Sequence, residues 1–298
     1  MNVGDSAPGS HIREALEAQY NLRRSHPDRE EVYARCAARS EAFRARTNSQ
    51  CDVPYGPAPR QVLDIFSPDQ DTGAAGSILI FFHGGYWRAL DKSIFAFLAA
   101  PFVAAGWTVV LPNYTLAPAA TIDEIVQQAR SAVAWVAREL RNDGQRLVVS
   151  GHSAGGHLTL MSILSDWSEF GFDEQIVDAG IAVSGLFDLE PLRHTSVNDL
   201  VGLTAESSAR NSPLNLLQLE SEIAPVPLLL TVGGLETDGF YEQSNRLAEA
   251  WRALGYTVAI APADGLDHFT IREDMADPAA ALYEAVFSFV DQHIASGD

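Results

Sequence analysis

Cysteine is nearly absent: Cys36 and Cys51 are the only two in 298 residues. Two thiols cannot build a disulfide framework, and no CxxC or Cys/His spacing suggests a zinc site, so no metal and no cofactor is expected. Basic residues are scarce as well, 20 Lys and Arg against 39 Asp and Glu, for a formal net charge of −19. A surface of that sign repels a phosphate backbone and argues against nucleic acid as a partner. No apolar run approaches the roughly eighteen residues of a membrane-spanning helix. The start, MNVGDSAPGSHIREALEAQY, lacks the basic and apolar regions of a secretory leader. These absences lead to the expectation of a soluble, cytoplasmic protein that acts on a small molecule without a membrane partner. A homodimer is left open.

What is present is apolar sequence, 47 % of the chain, enough for a large core and for one domain spanning 1–298. From about 11 to 47 a polar stretch rich in Arg, Glu and Ala carries apolar residues at helical spacing. It reads as two helices, split near His26-Pro27, within an N-terminal helical extension over 1–50. This extension is expected to pack over the sheet edge or to contribute to the mouth of a cleft. A strand candidate, QVLDIF, covers 61–66, and regular alternation begins at ILIFF, 78–82. Strand patterns at 107–111, 147–150, 180–184, 226–232 and 256–261 then alternate with helical patterns at 92–104, 122–141, 155–165, 240–254 and 279–294. Such alternation implies a mostly parallel, doubly wound α/β sheet with helices on both faces. Residues 186–224 break the rhythm and read as a small cap-like insertion that could roof a cleft.

Gly151-His-Ser-Ala-Gly155 fits G-x-S-x-G between a strand and a helix. A nucleophile on so tight a turn needs small neighbours two residues either side, and the following helix aims free N–H groups, Ala154 among them, at a forming oxyanion. A small-residue turn that merely packs a helix on a sheet would explain the motif in isolation. It explains less well the second element, His83-Gly-Gly-Tyr-Trp87, which leaves the 78–82 strand. There the N–H groups of Gly84 and Gly85 are candidates to complete an oxyanion hole with Ala154, while His83 braces the loop. Tyr86 and Trp87 are candidates to line the substrate pocket and stack on an aryl ring, although both residue types also serve simply to pack a loop on a core.

Ser153 needs a base, and the base an orienting acid. Of the histidines, only His268 falls in a loop after the last strand, where it can swing over the sheet ends. The loop after the 226–232 strand offers Glu236 and Asp238. Asp238 opens a helix, where an acidic residue complements the N-terminus anyway, so Glu236 is favoured with Asp238 as the alternative. The order Ser, acid, His is the one expected of the α/β-hydrolase fold. The acidic surface suits neutral or zwitterionic substrates, and Arg88 and Arg193 are weak candidates to face a substrate carboxylate.

On these residues the chain resembles the kynurenine formamidase (arylformamidase) branch of the α/β-hydrolase, esterase and lipase superfamily. The resemblance rests on HGGYW at 83–87, NYTLAP at 113–118, GHSAGG at 151–156, SGLFDL at 184–189 and DHF at 267–269, supported by GGLE at 233–236, FYEQS at 240–244 and EAQYN at 17–21. It implies a serine hydrolase in which Ser153, His268 and an acid cleave an aryl formamide such as N-formylkynurenine to formate and the free amine, without a metal. Animal members tend to carry aspartate at the acid position, where this chain has Glu236. That departure points to a bacterial side branch whose members include generic esterases. The second reading is therefore a carboxylesterase for short acyl or aryl esters. A binding module that lost its chemistry would lack a triad member, and none is missing here.

Overall fold

A computed structural model describes residues 8–68, 76–219 and 226–294, the side chains of 8–10 and 294 excepted. The expected extension residues 1–7 and insertion residues 220–224 lie outside this range. Eight strands form one sheet: β1 Ser49–Pro54, β2 Val62–Phe66, β3 Ile78–Phe82, β4 Thr108–Pro112, β5 Leu147–His152, β6 Ala179–Val183, β7 Leu228–Thr231 and β8 Val258–Ala261. Their spatial order is β1-β2-β4-β3-β5-β6-β7-β8. From β4 through β8 every neighbouring pair is parallel, and only β1 and β2 run antiparallel to their neighbours. The chain thus has the mostly parallel sheet that its alternating pattern implied, in the α/β-hydrolase fold.

Sequence explains the layering. Every residue of β3 and β5 is buried, as a strand covered on both faces requires. Helices 122–139, 154–163, 238–253 and 281–294 supply the covering layers. The first of these begins at a capping box, in which Thr121 Oγ1 accepts from the Glu124 N–H and the Thr121 N–H donates to Glu124 Oε2. β1 was not legible in the sequence. Its exposed, polar residues show no alternation, and Pro54 fits only because this is an edge strand.

The N-terminal extension folds as α1 Pro8–Tyr20, α2 Leu22–Ser25 and α3 Arg29–Arg44, with the break at His26-Pro27 where it was expected and a further one at Asn21. A buried ionic cluster ties α3 to the sheet. Asp64 on β2 accepts from Lys92 Nζ at 2.6 Å and from Arg44 Nη2 at 3.0 Å, and Lys92 also reaches Asp52 at 2.7 Å. Removing one partner of a buried pair leaves an uncompensated charge. Lys92→Met is therefore expected to lower unfolding free energy by about 3–5 kcal/mol in urea titrations. Adding Asp64→Asn should recover part of it; a single-variant loss below about 1 kcal/mol would contradict the assignment.

Candidate active site

The carboxyl ends of β3, β5, β6, β7 and β8 converge on one side of the sheet, where ligand sites of open parallel sheets form. At the end of β5, Ser153 adopts φ 58° and ψ −121°, a backbone conformation that costs energy for any residue with a Cβ. It persists because it is held. The Ser153 N–H donates to Val183 O at 2.8 Å, and the helix Ala154–Ile163 starts at once. A Cβ at Gly155 would lie 1.9 Å from Phe82 O, and one at Gly151 would lie 2.2 Å from Gly155 O. Glycine at these places is a steric requirement of the turn.

Gly84 and Gly85 line the same cavity as Ser153. A Cβ at Gly84 would sit 3.1 Å from Ser153 Cβ, so the HGG loop and the elbow are in contact. Among the described residues, none of the Gly84, Gly85 and Ala154 N–H groups has a hydrogen-bond partner. His83 lies beneath this loop, stacked on Tyr114 at 4.6 Å, with Nδ1 2.7 Å from Gly84 O.

On the opposite wall, His268 Nδ1 is 2.6 Å from Glu236 Oε2. The second carboxylate oxygen, Oε1, accepts from Ser184 Oγ at 2.5 Å and from the Gly233 N–H at 2.8 Å. Glu236 is thereby fixed, its side chain fully buried and that of His268 only 4 % exposed. Asp238 instead is exposed at the start of helix 238–253 and faces a separate groove with Gln19 and Glu242. Asp267 turns away as well, capping the next turn through the N–H groups of Phe269 and Thr270. Ser153 and His268 face the same cavity of about 240 Å³ without a direct hydrogen bond between them. Such contacts are commonly loose before substrate binds.

Some expectations need correction. Trp87 is fully buried and does not line the cavity: Tyr86 and Trp87 take φ of 50° and 55°, and this turn carries the indole onto the His157 ring. Tyr86 does line it, its hydroxyl donating to Tyr20 O. The described part of the insertion, 186–219, contributes nothing to the cavity wall. It supports α1 from behind, where Asn21 and Glu17 bond Ser196. The roof comes instead from the extension, through Leu22, Arg23, Arg29, Glu30 and Tyr33. Arg88 donates to the carbonyls of Ser196 and Val197, and Arg193 to Glu190, so neither faces the cavity.

Sequence reasoning also missed Ser184, His152 and Arg272. Ser184 carried one signal, its place directly after a strand on the substrate side of the sheet.

Comparison with known proteins gives the family. Residues 63–216 match the family model BD-FAE. The chain is 34 % identical over 252 residues to the kynurenine formamidase of Danio rerio, covering 84 % of this chain and 85 % of that protein. Against the kynurenine formamidase of Salmo salar the identity is 33 % over 240 residues, covering 80 % and 81 %. The chain belongs to the kynurenine formamidase family. Among solved structures, a provisionally assigned thioesterase from Silicibacter sp. TM1040 superposes with a TM-score of 0.74 at 31 % identity, covering 87 % of this chain and 93 % of that one. Esterase B from Lactobacillus Rhamnosis, at 19 % identity and a TM-score of 0.70 over 95 % of each chain, shares the fold. Like these relatives the chain is a hydrolase, of the formamidase and esterase type.

Buried histidines surround the site, which has a consequence for pH. Burial lowers the pKa of His83 and of His157 from 6.5 to about 4, and burial followed by the nearby His268 pushes His152 well below 6.5. Unfolded, all three protonate near pH 6.5. Above that pH neither state binds the protons; as pH falls from 6.5 toward 4 only the unfolded state does, so stability drops. Each of His83 and His157 is expected to contribute a loss of about 2 kcal/mol between pH 6.5 and 5. Urea unfolding at a series of pH values tests this: His157→Gln should flatten the slope, and an unchanged slope would contradict it.

Proposed function

We propose that Ser153 is the nucleophile, His268 its base and Glu236 the acid that orients the imidazole, in a hydrolase that cleaves aryl formamides. Ser153 Oγ attacks the formyl carbon while His268 Nε2 takes the hydroxyl proton. The N–H groups of Gly84, Gly85 and Ala154 receive the oxyanion. Collapse expels the aryl amine, which leaves with the proton held by His268, and a formyl ester remains on Ser153. Water, deprotonated by His268, attacks that ester; formate departs and the serine is restored. Glu236 stays ionised throughout and stabilises the imidazolium.

The observation that carries this reading is the His268 Nδ1 to Glu236 Oε2 contact of 2.6 Å, which leaves Nε2 for the cavity that Ser153 also lines. The small cavity, walled by Tyr33, Tyr86 and Phe269, suits a single aromatic ring rather than a long acyl chain. The names of the relatives point the same way, toward N-formylkynurenine. A carboxylesterase is the second reading, favoured by the 32 % identity to Esterase LipQ of Mycobacterium tuberculosis over 46 % of this chain. Both reactions pass through one tetrahedral intermediate.

Ser153→Ala is expected to reduce kcat by about 10⁴-fold or more while leaving the thermal midpoint near that of the parent. Glu236→Gln should lose about 10²–10⁴-fold, whereas Asp238→Asn should leave kcat within a few-fold; the reverse pattern would move the acid to Asp238. Turnover of N-formylkynurenine measured beside p-nitrophenyl acetate and butyrate separates the two readings. Ester cleavage with no formamide cleavage would reject the first.

A further inference from the structure

Among the described residues, buried Lys92 pairs with Asp64 and Asp52, and half-buried Arg141 with Asp178. Half-buried Arg88 and Arg130 rest on backbone carbonyls away from the cavity. Arg272 differs from all of these. It sits in the short helix Ile271–Met275, is only 1 % exposed, and lines the cavity that holds Ser153 and His268. Its Nε and Nη2 both donate to a single acceptor, Phe269 O, at 3.1 Å each. Three rings surround it, with the guanidinium carbon 5.2 Å from the Tyr33 centroid, 5.4 Å from Phe95 and 5.9 Å from Phe269.

Among the described residues no carboxylate pairs with it. The adjacent Glu273 is engaged by Arg35 and Arg39. A guanidinium has five N–H donors in a planar fork, and one carbonyl plus aromatic faces leaves that capacity largely unused. A cation removed from water without a counter-charge is costly to keep, and a fork beside a cavity is shaped for a carboxylate. The cavity mouth has the same sign. Arg23 and Arg29 line it, and its one carboxylate, Glu30, is already paired with Arg29 at 3.1 Å. On a chain of net charge −19 this is a local reversal that draws an anion inward.

We infer that Arg272 is the specificity determinant for a substrate carboxylate held in the cavity it shares with Ser153, with Arg23 and Arg29 guiding the anion in. This rests on the proposed reading of Ser153 as the reacting group. It narrows the substrate class to aryl formamides, or aryl esters, whose leaving group bears a carboxylate. A bidentate bond between the fork and the two carboxylate oxygens is what neither a neutral analogue nor a lysine reproduces.

The alternative is that Arg272 only braces the Phe269 carbonyl and so positions His268, and a matched pair of ligands separates the two. N-formylkynurenine and its carboxamide differ only at the carboxylate. The wild-type enzyme is expected to prefer the acid by about 10- to 100-fold in kcat/KM, through KM. Arg272→Met should abolish the preference, the acid losing about 10- to 100-fold more in kcat/KM than the carboxamide, and Arg272→Lys should keep only part of it. Equal loss of kcat on both substrates, or a wild type that does not discriminate, would overturn the inference.

Calorimetric titration of the same two compounds into Ser153→Ala reads the anchor without any chemistry and without an Arg272 variant that must fold. Tighter binding of the acid supports the anchor even if the wild type cleaves no formamide, in which case the reading of the reaction fails and the anchor stands. Equal binding, or no binding of either, overturns the anchor even if N-formylkynurenine is hydrolysed.

Discussion

The whole site depends on how closely the end of β3 approaches the start of the helix after β5. At Gly155 a single methyl group would meet Phe82 O at 1.9 Å and His83 O at 3.0 Å, so two backbones touch where side chains ordinarily intervene. That contact brings the HGG loop against the serine elbow. Sterics, rather than attraction, set the position. Side chains at Gly151, Gly155 or Gly84 would separate the segments whatever favourable contacts remained elsewhere.

The second half of the site comes from the other side of the elbow, and it is organised by hydrogen bonds. Glu236 sits between three donors supplied by β6, β7 and β8 connections: Ser184 Oγ, the Gly233 N–H and His268 Nδ1. A buried carboxylate with three donors is satisfied as well as held, and it fixes which imidazole nitrogen faces the cavity. Glutamate suits this loop because its longer side chain spans from the β7 end to both partners. Asp238, two residues on, already faces outward at the first turn of a helix.

Much of this was legible in the sequence, and the reasons are local. The G-x-S-x-G turn, the HGG loop and the alternating pattern each carry their geometry in a few consecutive residues. His268 was singled out by the strand it follows, whereas Glu236 and Asp238 share one loop, and only the start of the helix at Asp238 separated them. What the sequence hid depends on contacts between distant segments. The helical spacing of residues 22–33 left open whether the extension packs over the sheet edge or reaches the cleft mouth, since that depends on the ionic cluster of Lys92, Asp64 and Arg44 docking α3. The direction of Trp87 is set by two successive left-handed residues, which no alternation rule anticipates. Ser184 and Arg272 look ordinary in sequence because only burial and the partners around them give them meaning.

The extension therefore does for this protein what the insertion after β6 was expected to do, and it brings positive charge with it. Leu22, Arg23, Arg29, Tyr33 and Arg272 line one cavity with the elbow, so cations cluster there on a chain of net charge −19. The proposed chemistry places one uniquely reactive hydroxyl in that site, and reaction with a fluorophosphonate followed by peptide mass spectrometry reads it directly. A single phosphonyl adduct on the peptide carrying Ser153, formed quickly in the parent and far more slowly in His268→Ala, is the expected result. An adduct at another residue, or none at Ser153 while hydrolysis proceeds, would contradict the assignment.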